Sequence, residues 1–272
     1  MPSYEFYALT DTGRVRTNNE DAVAVHEAAG LVLLADGMGG YNAGEVAAVM
    51  AIEQVGAELA RWLEAPGGRS ASPAEVRERL DACVEQANHA ILGASLSDPQ
   101  YEGMGTTLVA GVFIPSGGRL VLGHVGDSRC YRLRRGSLEQ LTRDHSWLQE
   151  QMDAGLLTPE EAARTGMRNL VTRALGVEPV APLEVNEFTV EPGDLYLLCS
   201  DGLTDLMTHE ELAELARQPL PLAEKASRMV ALANALGGRD NISVVLAQAA
   251  GDALPAEARR GGLVSRLLRG NS

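Results

Sequence analysis

Lysine is all but missing from this 272-residue chain: Lys225 stands alone, and arginine supplies the rest of the 23 basic side chains. That shortage reads as a bias of genomic composition. Positive charge is short altogether, since 37 Asp and Glu residues leave a formal net charge of −14. A nucleic-acid binder is excluded on that count, because a phosphate backbone needs a basic face. Cysteine is scarce too. Cys83, Cys130 and Cys199 are odd in number, far apart and set in apolar surroundings. They are expected to be reduced core thiols, not a disulfide framework or a zinc site. The chain also shows no N-terminal signal pattern and no apolar run near the ~20 residues that span a bilayer. The expectation is a soluble, cytoplasmic protein.

What the chain does have is a set of glycine-flanked aspartates. They sit in Asp36-Gly37-Met38-Gly39-Gly40, Gly126-Asp127-Ser128-Arg129, Ser200-Asp201-Gly202 and Gly238-Arg239-Asp240-Asn241. The first three follow the apolar runs 31–35, 120–125 and 195–199, which read as buried strands. The aspartates are therefore expected at strand ends, pointing into a shared pocket. Carboxylates crowded together repel one another unless something positive lies among them. Oxygen-only ligands suit Mg²⁺ or Mn²⁺. Any single Asp-Gly is more simply a turn; four of them at strand ends are not. A further acidic pair, Glu20-Asp21, lies close to Arg14 and Arg16. Alone it would pass for a surface salt bridge, but a guanidinium fork beside a metal pair is what a phosphate ester needs.

Hydrophobic residues make up 45% of the chain, enough for a sizeable core. Strands are expected at 4–10, 22–26, 31–35, 106–114, 119–125, 129–133, 188–190, 195–199 and 241–247. Helices are expected over 43–65, from Pro73 to about Leu96, and at about 209–217 and 221–235. Ser72-Pro73-Ala74-Glu75 and Thr158-Pro159-Glu160-Glu161 are capping boxes with proline at the first helical position. The second lies in an irregular helical insertion at about 144–176. Helix pairs between blocks of hairpin-linked strands predict an antiparallel α+β layered fold. One domain is expected over 1–250. The tail over 251–272 carries Arg259, Arg260, Arg266 and Arg269 among leucines. It reads as a flexible solvated terminus, with a basic amphipathic helix as the sharper alternative.

At this point the chain resembles the bacterial form of the metal-dependent Ser/Thr protein phosphatases, the type 2C or PPM family. Over roughly residues 4–248 the motifs occur in that family's order. They are Arg16-Thr17-Asn18-Asn19-Glu20-Asp21, Asp36-Gly37-Met38-Gly39-Gly40, Met104-Gly105-Thr106-Thr107, His124-Val125-Gly126-Asp127-Ser128-Arg129, Ser200-Asp201-Gly202-Leu203-Thr204-Asp205 and Gly238-Arg239-Asp240-Asn241. The resemblance implies a four-layer α-β-β-α sandwich of two antiparallel sheets flanked by helix pairs, with the insertion as a flap. It implies two Mn²⁺ or Mg²⁺ ions and a weaker third. Asp36 would bridge the pair, the Gly37 carbonyl would bind the second ion, and Asp201 and Asp240 would hold the first. Glu20 and Asp21 would bind metal-coordinated waters. Arg16 would grip the phosphate, while Asp127, Asp201 and Asp205 would form the third site.

The implied reaction is hydrolysis of protein phosphoserine and phosphothreonine by a metal-bridging hydroxide attacking phosphorus in line. The implied partners are phosphorylated proteins, among them a Ser/Thr kinase whose work is reversed, with the enzyme a monomer. Relatives place a histidine, their proposed general acid, where this chain has Met38 or Tyr41. The acid is thus unassigned. His124 reads as a core residue, His145 as bordering the site from the flap base, and Cys199 as packed. Ser128 and Ser200 lack a His/Asp relay nearby in sequence. The alternative function is a catalytically silent phosphoprotein-binding regulator of the same fold. A calcium-type structural site is disfavoured, since no loop has the acidic spacing of an EF-hand.

Overall fold

The chain is described by a computed structural model over residues 3–40, 43–114, 117–162, 165 and 170–250, the side chains of 159 and 160 excepted. The tail over 251–272, Pro115-Ser116 and the Tyr41-Asn42 pair lie outside the described residues. Strands β1 (Tyr4–Asp11), β2 (Asp21–His26) and β3 (Leu31–Met38) lead into helices α1 (Ala43–Glu64) and α2 (Pro73–Ser97). Strands β4 (Gly105–Thr106), β5 (Leu108–Ile114), β6 (Arg119–Val125), β7 (Arg129–Arg134) and β8 (Ser137–Gln140) follow. Short helices α3 (Trp147–Asp153) and α4 (Pro159–Ala162) precede β9 (Glu184–Thr189) and β10 (Leu195–Cys199). Helices α5 (Asp201–Thr204), α6 (His209–Arg217) and α7 (Leu222–Ala235) come before β11 (Ile242–Ala249).

One sheet runs β1-β11-β10-β7-β8; the other runs β2-β3-β5-β6-β9, with β4 also paired to β3. Every pairing is antiparallel. The alternation of side chains along β3 shows why the fold has four layers. Leu31, Leu33 and Ala35 pack with α1 and α2, whereas Val32 and Leu34 face the other sheet. In β10, Leu195, Leu197 and Cys199 pack with α6 and α7, while Tyr196 and Leu198 face inward. Both faces of each central strand are buried, so each reads as an unbroken apolar run instead of an alternating one. Asp36 shares the parity of Val32 and Leu34. Its carboxylate therefore enters the gap between the sheets, at the end of the sandwich.

The α+β sandwich anticipated from sequence is the observed fold. The Ser72 box forms as expected: Glu75 N donates to Ser72 Oγ at 3.3 Å and Ser72 N to Glu75 Oε2 at 2.8 Å. Other expectations need correction. Asp36 lies inside β3, two residues before its end, and Asp201 opens the one-turn helix α5 instead of a simple turn. The expected strand over 106–114 is split at Thr107. That residue leaves the ladder to bond Asp36, its N donating to Asp36 O at 2.9 Å and its Oγ1 accepting from Asp36 N at 3.0 Å. The edge strand β8 was not anticipated. Only Leu138 of its residues is buried, and it is set up by Arg135 and Gly136, whose φ values of 51° and 81° suit a two-residue hairpin turn.

Candidate functional site

A pocket of 270 Å³ opens at one end of the sandwich, lined by Arg16, Glu20, Asp36, Asp127, Asp201 and Asp240, with Gly37, Met38 and Val171 among its other walls. The expected residues thus arrive together from five separate stretches of chain. Asp21 and Asp205 lie just behind: Asp21 is buried opposite Asp36 in the β2–β3 ladder, and Asp205 is exposed at the end of α5.

Asp36 is placed by backbone bonds that leave its side chain for the pocket, whereas Asp240 Oδ1 accepts from Asn241 N at 2.8 Å. Asp36 has its N–H and C=O taken by Thr107, and its C=O accepts from Thr106 Oγ1 as well, at 3.0 Å. Gly37 must lack a side chain, since a Cβ there would lie 2.1 Å from the Gly44 carbonyl where α1 closes on the strand. Ser200 stands just before α5 without its side chain bonding the helix's free N–H groups; its Oγ instead donates to Asp21 Oδ2 at 2.8 Å, while accepting from Ser243 N at 3.0 Å. Asn241 ties the N-terminal loop to the base of β11. Its Oδ1 accepts from Glu20 N at 2.8 Å, and its Nδ2 donates to the Thr12 and Asn18 carbonyls at 3.0 and 2.9 Å. Ser200, Thr107 and Asn241 all stand in the sequence motifs, yet the motifs alone give them no part in holding the acids. The available signal was a small hydroxyl or amide residue directly beside an acid at the head or foot of a buried strand.

Electrostatics make the cluster costly as it stands. Burial, and then the charges of Asp21, Asp201, Asp127 and Asp240, push the Asp36 carboxyl well above the usual range. Burial followed by Asp127 and Asp205 does the same to Asp201. Burial raises Asp21 to about 6, and burial with Asp144 raises Asp127 to about 6. Asp21 Oδ1 is buried without a hydrogen-bond partner. Arg16 is the one cationic side chain among the described residues lining the pocket, and its Nη2 donates to Asp240 Oδ2 at 2.8 Å. One exposed guanidinium does not neutralise five carboxylates. The donor set is hard oxygen throughout, so the residues fit a pair of Mg²⁺- or Mn²⁺-like cations and not zinc.

His124, His145 and Glu184 form a second cluster, with ligand atoms within 4.8 Å of one another. It does not fit a metal. Gly126 N donates to His145 Nδ1 at 3.1 Å, so in the neutral ring the proton sits on Nε2, which faces Glu184 Oε2 at 3.4 Å and is not free to ligate. Arg173 Nη1 lies 3.4 Å from the same nitrogen. Burial, His124 and Arg173 all lower the basicity of His145, in keeping with the neutral form. The His124 Nε2 is engaged by the Arg143 carbonyl at 2.9 Å, and the two rings stack at 4.7 Å. The cluster is mechanical. The His145 N also donates to Gly126 O at 3.0 Å, and its C=O accepts from Thr172 N at 2.8 Å. His145 joins the chain at Thr172 to the turn that carries Asp127.

Cys199 is fully buried and its thiol is pushed up to about 12, which removes it as a nucleophile. The hydroxyls of Ser128 and Ser200 pair with Thr107 and Asp21, not with a histidine. Met38 lines the pocket and offers no proton.

Comparison with known proteins agrees with this geometry. The chain is 45% identical over 244 residues to the serine/threonine protein phosphatase PstP of Mycobacterium tuberculosis, covering 89% of this chain and 44% of that protein. It therefore spans less than half the length of that relative. It is 39% identical to the serine/threonine phosphatase stp of Listeria monocytogenes, covering 88% of this chain and 93% of that one. A crystal structure of the M. tuberculosis phosphatase PstP superposes with a TM-score of 0.82 at 40% identity, covering 93% of this chain and all of that one. The PstP catalytic domain in complex with two manganese ions superposes at 0.79, with 41% identity, covering 92% of this chain and all of that one. A family model for protein phosphatase 2C matches residues 12–237. By that match and these identities, the chain belongs to the protein phosphatase 2C family.

Proposed function

We propose that the chain hydrolyses phosphoserine and phosphothreonine esters of proteins with two divalent cations, Mn²⁺ or Mg²⁺, and a weaker third. The observation that carries this reading is the convergence of Asp36, Asp127, Asp201 and Asp240 on one pocket with Arg16 at its side. Asp36 and the Gly37 carbonyl, with Asp201 and Asp240, would hold the pair. Asp127 and Asp205, beside Asp201, would serve the third ion. Glu20 and Asp21 would accept hydrogen bonds from water around the ions. Bound there, the cations would lower the pKa of a water and neutralise phosphoryl oxygens.

The chain's own groups do the rest. Arg16, half exposed, exchanges its bond to Asp240 for the substrate phosphate and orients it for in-line attack. Asp21, fixed by Ser200, holds the inner wall. No histidine among the described residues lines the pocket, so the proton for the leaving alkoxide is assigned to solvent. The proposed counterpart is a bacterial Ser/Thr kinase, with the enzyme acting as a monomer in the cytoplasm. Three free, buried thiols accord with a reducing compartment, and no helix among the described residues is long and apolar enough to cross a membrane. Residues 1–250 would be the phosphatase domain, the segment about 144–176 its flap, and 251–272 a separate basic tail.

The test is phosphate release from phosphothreonine and phosphotyrosine peptides with Mg²⁺, Mn²⁺ or chelator. Metal-dependent release from phosphothreonine, absent with chelator, is expected. Binding of the phosphothreonine peptide without turnover in Mn²⁺ would overturn the reading in favour of a silent binder.

A further inference from the structure

The acid pocket adjoins a second cavity. Met38 and Val171 line both. The neighbour measures 540 Å³ and is walled by Val177 and Val180 as well, with Arg173 and Glu178 carrying opposite charges. Among the described residues that line it, Glu178 is the one acid. Of the eight large apolar side chains exposed among the described residues, two line this cavity, Val177 at 54% and Val180 at 72%, and Leu170 at 50% precedes Val171 just outside it. Apolar surface gathered on one segment marks a binding face more than scatter does.

The groove is preformed. Leu175 and Thr106 exchange backbone hydrogen bonds at 2.9 and 3.0 Å, which docks this segment on β4, itself paired to Gly37 and Met38. Asn88, buried on α2, donates to the Glu178 carbonyl at 3.0 Å and the Pro179 carbonyl at 3.3 Å, and accepts from Gly176 N at 2.7 Å. Gly176 has a φ of 83°, and a Cβ there would lie 2.2 Å from Ile91 Cγ2. Ordering a peptide against a wall already in place costs less than ordering both together.

We propose, on the phosphatase reading above, that this groove takes an apolar side chain of the substrate polypeptide. An extended peptide advances ~3.3 Å per residue and turns alternate side chains to the same face. With the phosphorylated residue in the acid pocket, the side chain two positions away shares its face and falls in the groove beyond Met38 and Val171. The opposite charges of Arg173 and Glu178 leave the groove without a charge preference of its own, so it selects by apolarity.

The test compares the wild type with Val180→Asp, both with Mn²⁺, on three substrates. These are a phosphothreonine peptide with leucine two positions away on each side, the same peptide with aspartate there, and p-nitrophenyl phosphate, which has no flanks. The wild type should favour the leucine peptide about tenfold in kcat/KM, the scale of burying one aliphatic group at a subsite. Val180→Asp should cut that preference to about twofold or less, with p-nitrophenyl phosphate turnover unchanged. Equal rates on the two peptides, or a preference that survives in the variant, would overturn the subsite while p-nitrophenyl phosphate turnover upholds the phosphatase. Failure on p-nitrophenyl phosphate and both peptides would overturn the phosphatase reading, and the subsite with it.

Discussion

The two ends of the sandwich are made of opposite materials, although the same strands reach both. At one end β3 delivers Asp36, the chain beyond β10 delivers Asp201, and Asp240 precedes β11. At the other, Phe113 packs against Tyr4, Phe6 and Tyr196 with ring centroids 4.9, 5.7 and 5.2 Å apart. Phe113 N donates to Gly30 O at 2.8 Å, at the foot of the strand whose head carries Asp36. The aromatic end buries apolar surface and has its rings in favourable tilted and edge arrangements. The acid end buries charge that repels itself. Stability is concentrated where no chemistry happens, and it holds in place an end that would not assemble for its own sake.

That contrast can be broken from either side. The largest expected effect is at the acid end. Asp201→Asn should lower Mn²⁺-dependent hydrolysis of a phosphothreonine peptide by about 1,000-fold, the scale of losing one electrostatic stabiliser of a transition state. In chelator at pH 7.5 the same variant should melt higher than wild type, because one of several crowded charges is gone. Retained activity, or a lower melting temperature, would contradict the contrast. At the aromatic end the signs reverse. Phe113→Ala should cost about 3–5 kcal/mol of unfolding free energy in denaturant titrations, with activity per folded molecule preserved.

The pH dependence sharpens the comparison. Asp36, Asp201, Asp21 and Asp127 all have carboxyls raised in the folded state, the last two to about 6, against an unfolded value of about 3.9. A raised folded value means stability that is complete below the unfolded pKa and is lost as pH climbs through the folded one. Burial raises the Glu20 carboxyl as well, while the lowered basicity of His145 works the other way. Metal-free protein should therefore melt at a lower temperature at pH 7.5 than at pH 5. Mn²⁺ should raise the melting temperature more at pH 7.5. Thermal melts in chelator that rise with pH over that window would contradict this. The smallest effect is at the rim. Arg16→Ala should raise the peptide KM about tenfold with Mn²⁺ affinity nearly unchanged, as for an exposed group that orients the substrate. Calorimetric loss of Mn²⁺ binding would show instead that Arg16 shapes the metal site.

The legible part of this molecule was its apolar runs and the acids that end them. Runs such as 31–35 and 195–199 are buried on both faces, so composition alone reveals them. The Ser72–Glu75 box was legible because both partners lie within four residues. What escaped are bonds between distant stretches: Asn241 to Thr12 and Asn18, Ser200 to Asp21, Thr107 to Asp36. Spacing in sequence carries no trace of such pairs. Lys225 is the sharpest miss. Its rarity read as composition, yet the side chain is buried and its Nζ donates to the Ala216 carbonyl at 2.6 Å and to the Gln218 carbonyl, closing the C-terminal end of α6. A single compact ammonium fits there, and only the packing of α7 on α6 shows it.

The central claim is that the acid end is a cage for cations. Crystals grown with Mn²⁺ and measured at a wavelength where manganese scatters anomalously test it most directly. Two strong peaks between Asp36, Asp201 and Asp240, both lost in Asp36→Asn, are predicted. An acid pocket without a peak, or manganese bound instead at His124, His145 and Glu184, would contradict the account.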